Sequence, residues 1–161
     1  MRSATARYDS SGAPRPDFVL NQPAYAQAQI IVAERNFACG SSRENAVSVM
    51  LDNGFRVFIA PSFGDIFFNN CFQNGVLPIR LPAERVKALR DALRAAPGSQ
   101  LTVDLANQQV IGPDGSVDSF EIDSFRKDCL LTGVDEISLT LGHAADIARF
   151  EERQRREMDW L

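Results

Sequence analysis

Apolar and polar positions divide this chain into strand-like and helix-like segments that alternate. Residues 29–33 (QIIVA) form a continuous β-branched run, the pattern of a strand buried on both faces of a parallel sheet. A glycine turn at Cys39-Gly40 follows, and Ala46, Val49 and Met50 then fall on one helical face until Asn53-Gly54 ends the repeat. Ser41 and Glu44 have the spacing of a capping box, which predicts that this helix starts at Ser41. The cycle is used again. Residues 55–60 (FRVFIA) read as a second buried strand and Pro61-Ser62 as its turn, with Phe63, Ile66, Phe67 and Cys71 lining a helix that ends near Gly75. Asp65 lies at capping distance from Ser62 and is assigned to that helix start. A third strand at 77–81 leads to Pro82 at a helix start. Val86, Leu89 and Leu93 continue at helical spacing and Pro97-Gly98 is the stop.

Beyond residue 100 the period shortens. Segments 100–105, 109–111 and 117–122 alternate, joined by Ala106-Asn107 and by Pro113-Asp114-Gly115, which predicts an antiparallel meander. Helical character returns at 125–131 and again from Ala144 to about Met158, where the run EERQRRE reads as a solvated face. Residues 1–23 carry Ser, Pro, Gly and Arg without an apolar period. The expected organisation is an irregular lead-in over 1–23, one α/β domain over 24–142 and a charged helix over 143–161. The domain has a mainly parallel sheet and a small β meander. Ligands of such sheets gather at the carboxyl ends of the strands, where the glycine and serine turns lie.

Composition narrows the function classes. A chain of 161 residues, 45% hydrophobic and 24% charged, suits one globular domain. Seventeen basic against 21 acidic side chains give a net charge of −4, which disfavours nucleic acid as a partner. Apolar runs stay far below the roughly 20 residues that span a bilayer, and no secretory leader opens the sequence. No membrane partner is expected, and the chain reads as soluble and cytoplasmic. Cys39, Cys71 and Cys129 are odd in number, widely spaced and without a C-x-x-C pair, which fits a reducing compartment. With the single His143 they make no ligand set for zinc or an iron-sulfur cluster, so no metal is assigned to this chain alone.

Candidate chemistry is concentrated at 36–45 (NFACGSSREN). A strand end, a glycine, two hydroxyls and an arginine converge there on a helix N-terminus, an arrangement suited to a carboxylate or phosphate. The local pattern leaves a second reading open, in which Ser41 caps the helix and Arg43 is solvated surface. Cys39 reads as the small residue of a tight turn, and Asn69 and Asn70 as makers of inter-element hydrogen bonds. Phe37, Phe55, Phe58, Phe63, Phe67, Phe68 and Phe72 read as core or partner interface.

The string F-x-C-G-S-S-R-E-N-A, followed by GFRVFIAPSFGDIFFNNCFQNGVLPIRLP, resembles the small subunits of 3-isopropylmalate dehydratases, of the aconitase superfamily. PDFVLNQP at 16–23 and FEIDSFRKDCLLTGVDEISLTL at 120–141 extend the likeness. The resemblance implies an aconitase-type swivelling β/β/α domain in a heterodimer, closing over a large subunit that carries a four-iron four-sulfur cluster. The implied reaction is dehydration of 2-isopropylmalate, a small diacid, and rehydration to 3-isopropylmalate in leucine biosynthesis. Ser41 matches the family's serine base, Arg43 the residue that binds a substrate carboxylate, and Ser42 a residue that helps hold it. A hydroxyl can serve as base only as an alkoxide stabilised by neighbouring N–H groups and a guanidinium.

The sequence departs from the family in two places. Asn45 stands where members typically have histidine, and there is no counterpart of the family's N-terminal N-x-D-T-D-Q-I-I-P-like segment with its substrate-contacting loop. Those departures motivate two alternatives: a hydro-lyase small subunit for homoaconitate, citraconate or methylmalate, and a truncated non-catalytic paralogue.

Overall fold

The computed structural model describes residues 7–40, 43–134 and 143–157. A turn-rich lead-in contains a Tyr8–Pro14 bridge and a single 3-10 turn at Val19–Asn21. Asn21 staples it, its side-chain amide donating to the carbonyls of Arg7 and Arg15 at 2.8 and 2.9 Å. Residues 7–23 are therefore held by specific turns rather than left without structure.

Three parallel strands follow, each leading into a helix: β1 (Ile30–Val32) to α1 (Asn45–Asp52), β2 (Val57–Ala60) to α2 (Asp65–Gln73), and β3 (Leu77–Arg80) to α3 (Ala83–Ala95). The sheet order is β1-β2-β3, with Ile31 beside Phe58 and Ile59 beside Ile79. An antiparallel meander comes next, β4 (Thr102–Asp104), β5 (Gln109–Ile111) and β6 (Val117–Ser119), with Val103 beside Val110 and Val110 beside Asp118. α4 (Ser124–Thr132) and α5 (Ala144–Glu157) complete the described chain. The Asp123 carboxylate accepts from Arg126 N–H at the start of α4, and Gly133, at φ 68°, takes the left-handed conformation that ends it.

The continuous apolar strands are explained by two cores, one on each face of the parallel sheet. Side chains alternate along β2: Phe58 and Ala60 enter a cluster with Val47, Phe63, Phe67 and Cys71, on the side of α1 and α2. Ile59 points the other way, into a cluster with Ile79, Val86, Leu89, Val110 and Phe120, which joins α3 and the meander. Each fully buried Phe or Ile in these layers contributes roughly 1.5–3 kcal/mol. Arg85 of α3 ties the meander down by a two-pronged bond to Asp118, at 2.6 and 3.1 Å. Lys127 of α4 braces it from another side, donating to the Ala106 carbonyl at 2.8 Å.

Two helix starts differ from the sequence expectation. α1 begins at Asn45 rather than at residue 41, and the Glu44 carboxylate accepts from Asn74 Nδ2 at 3.2 Å. A cross-link to the end of α2 thus takes the group that local spacing assigned to a cap. At α2 the N-cap position belongs to Gly64 and no side chain caps the helix. Asp65 is its first residue, but Ser62 bonds elsewhere, and Phe63 precedes the helix.

Candidate active site

The turn after β1 and the turn after β2 meet at the carboxyl edge of the sheet. Ser62 Oγ accepts from the Asn36 N–H at 2.9 Å and lies 3.2 Å from Asn36 Oδ1, to which it donates. Phe37 N–H donates to the Ser62 carbonyl at 3.0 Å, and Gly64 N–H donates back to the Phe37 carbonyl at 2.9 Å. Phe37 and Phe63 thereby form a short parallel bridge, with their rings 6.1 Å apart and edge to face. Phe37 also packs on Phe58 and Phe67, each 5.6 Å away. An aromatic plug therefore fastens the first turn to the core beneath it.

Backbone geometry completes the turn. Asn36 and Ala38 both adopt φ 58°, a left-handed conformation that a side chain enters at some cost and that the flanking bonds must hold. Gly64 allows the two turns to touch: a Cβ there would lie 3.0 Å from both the Ala38 carbonyl oxygen and Cys39 Cα. Cys39 is exposed at the crest.

Of the anion-binding candidates, Arg43 lies among the described residues. Arg43 is exposed just before α1, and its carbonyl accepts from Ala46 N–H at 3.2 Å. Ser41 and Ser42 lie outside the described residues, as does 135–142, the end of the last motif. Asn45 is an exposed first residue of α1. Asn69 accepts from Arg126 Nη2 at 3.0 Å, an inter-element bond of the expected kind. Sequence pattern places Asn36 in the candidate stretch without a role and reads Ser62 as a turn residue, while the glycine two residues after a serine in PSFG is the signal for close backbone approach.

The described cysteines do not form a metal centre. Cys71 is sealed in the core, where burial pushes its thiol up to about 12 and disfavours the thiolate a metal needs. No group of three or more His, Cys, Asp or Glu converges among the described residues. The same residues include no helix long and apolar enough to cross a membrane.

Comparison with known proteins decides the family. The aconitase C-terminal domain family matches residues 2–84, the LeuD_N family matches 87–124, and the family of the C-terminal domain of 3-isopropylmalate dehydratase small subunits matches 136–161. The 3-isopropylmalate dehydratase small subunit of Parvibaculum lavamentivorans is 54% identical over 155 residues, covering 96% of this chain and 77% of the relative. That of Paramagnetospirillum magneticum is 55% identical with the same coverage. The chain belongs to the 3-isopropylmalate dehydratase small-subunit family. A solved 3-isopropylmalate dehydratase from Methanocaldococcus jannaschii shares the fold at a TM-score of 0.57 and 24% identity, covering 74% of this chain and 67% of that one. Within this family the fold described above is an aconitase-type α/β domain.

Proposed function

We propose that this chain is the small subunit of a heteromeric hydro-lyase that isomerises 2-isopropylmalate to 3-isopropylmalate in leucine biosynthesis. The observation that carries the proposal is identity of 54% along 96% of the chain to a 3-isopropylmalate dehydratase small subunit, in a sequence that contains the string F-x-C-G-S-S-R-E. The family resemblance implies a four-iron four-sulfur cluster, which this reading assigns to a large subunit, and the complex is read as cytoplasmic. On that subunit the cluster would supply a Lewis acid for the departing hydroxyl.

This chain's own residues bind the diacid and move a proton. Arg43, next to the N-terminus of α1, presents a planar guanidinium whose paired N–H groups match a carboxylate, and Ser42 adds a hydroxyl. Ser41 Oγ removes the proton from carbon and returns it in the hydration half-reaction. Its alkoxide draws on the adjacent guanidinium and on backbone N–H groups held by the fastened turn. The Asn36–Ser62 and Phe37–Gly64 bonds keep that turn from drifting away from the reacting carbon.

The test is turnover of 2-isopropylmalate by the purified chain mixed with its cluster-loaded large subunit, alongside homoaconitate, citraconate and methylmalate. The proposal expects 2-isopropylmalate to have the highest kcat/KM. Arg43→Lys should raise KM on the order of tenfold or more, because lysine lacks the two-pronged fork. Preference for another diacid would reassign the substrate, and no activity on any of them would return the chain to a non-catalytic role.

A further inference from the structure

At the other end of the same sheet edge, two arginines stack on aromatic rings. The guanidinium of Arg80, the last residue of β3, lies 3.9 Å from the Phe68 ring centroid. That of Arg126, in the first turn of α4, lies 4.5 Å from Phe72 and 5.9 Å from the same Phe68 ring. Phe68 and Phe72 pack edge to face at 5.3 Å, one turn apart on α2. Neither Arg80 nor Arg126 forms an ion pair among the described residues, although ion pairs such as Arg15–Asp17 and Lys87–Asp91 occur elsewhere on this acidic surface.

Stacking changes what an arginine can do. The ring occupies the π face of the guanidinium and fixes its plane, while the in-plane N–H donors remain at the periphery. One donor of Arg126 is used by Asn69 Oδ1. The others are positioned for oxygen acceptors, and their side-chain entropy is already reduced by the stacking. Phe125, the residue before Arg126, adds apolar surface and is 55% exposed. Rigid aromatic and arginine groups beside exposed apolar surface make up the composition of an interface centre rather than of ordinary solvated surface.

The position favours one partner. Phe68 touches Phe63 at 5.6 Å, and Phe63 bridges Phe37, so an unbroken aromatic row runs from Arg80 to the turn that leads to Ser41. A protein that closes over that turn reaches this ledge along the same edge. We infer that the ledge formed by Arg80, Phe68, Phe72 and Arg126 is a docking surface for the large subunit, and that it receives carboxylate side chains of that partner on the two guanidiniums. The inference rests on the heteromeric reading above.

The experiment measures the Kd between the intact chain and the cluster-loaded large subunit at low and high ionic strength. Arg80→Glu combined with Arg126→Glu should raise Kd at least about tenfold and flatten its salt dependence, while kcat at saturating large subunit stays unchanged. Arg80→Gln, which leaves the Arg126–Asn69 bond in place, should give a smaller shift in the same direction with an unaltered melting temperature. Wild-type affinity in both variants, with the normal chain binding its partner, overturns the docking surface alone. Failure of the normal chain to bind any large subunit overturns the heteromeric reading and the docking surface together.

Discussion

The turns of the meander and the turn after β1 are built in opposite ways. In the meander each turn is closed by its own residues: Asp104 accepts from Asn107 N–H at 2.9 Å, and Asp114 accepts from Ser116 N–H at 3.0 Å and from its hydroxyl at 2.7 Å. The turn after β1 is held instead by residues 26 positions away in sequence, through Ser62 and the Phe37–Phe63 bridge. A turn closed largely by its own residues depends less on what surrounds it. A turn fastened from outside takes its shape from the sheet below, which lets the fold aim a reactive group but makes that aim depend on distant packing.

The largest expected effect comes from removing the support under the site turn. Phe58 is fully buried and its ring contacts both Phe37 and Phe67. Phe58→Ala should cost about 3–5 kcal/mol in urea unfolding and abolish activity at temperatures where the wild type works. A loss below about 1 kcal/mol would show that the aromatic plug does not fasten the turn.

Gly64→Ala sharpens the comparison, because it presses only on the contact between the two turns. Its methyl meets backbone of Ala38 and Cys39 at 3.0 Å, so the expected stability loss is about 1–3 kcal/mol. Activity with the large subunit should fall further, on the order of 10²-fold, through displacement of the hydroxyl proposed as the base. Asn107→Ala in the self-closed turn should change activity by less than about twofold, with a stability loss of about 1 kcal/mol or less. If Gly64→Ala and Asn107→Ala lower activity equally, the two turns are not different in kind.

The smallest effect is on pH dependence. Hydrogen bonds from Asn107 hold the Asp104 carboxyl below its usual range, and those from Ser116 do the same for Asp114. A carboxyl depressed in the folded state stabilises above its unfolded value, and that contribution is lost as pH falls through the folded value. Hydrogen exchange should therefore show the meander turns loosening below about pH 4, ahead of β2 and β3. Meander protection that is unchanged down to about pH 2 contradicts this assignment.

The same contrast explains what can be read in the sequence. Strand runs such as FRVFIA, the spacing of Val86 and Leu89, and the Pro113-Asp114-Gly115 turn carry local signals, and the structure has β2, α3 and the meander where these point. The charged helix from Ala144 and the buried phenylalanines are likewise present. Residues whose role comes from non-local partners carry misleading local signals. Ser62 has the spacing of a helix cap, yet its oxygen serves Asn36. Glu44 has the spacing of half a capping box, yet it bonds Asn74 thirty residues on. The serine-arginine motif is legible through family resemblance, while Asn36 and Gly64, which shape the turn leading to it, acquire meaning only when two distant turns are brought together.

The central claim is that this fastened turn delivers the base for proton removal to a diacid bound between two subunits. Single-turnover dehydration of 2-isopropylmalate by the chain with cluster-loaded large subunit, with wild type and Ser41→Ala set side by side at matched complex concentration, tests it most directly. The account predicts a loss of roughly 10²–10⁴-fold in the rate with affinity for the partner unchanged. A Ser41→Ala rate within a few-fold of wild type would contradict it.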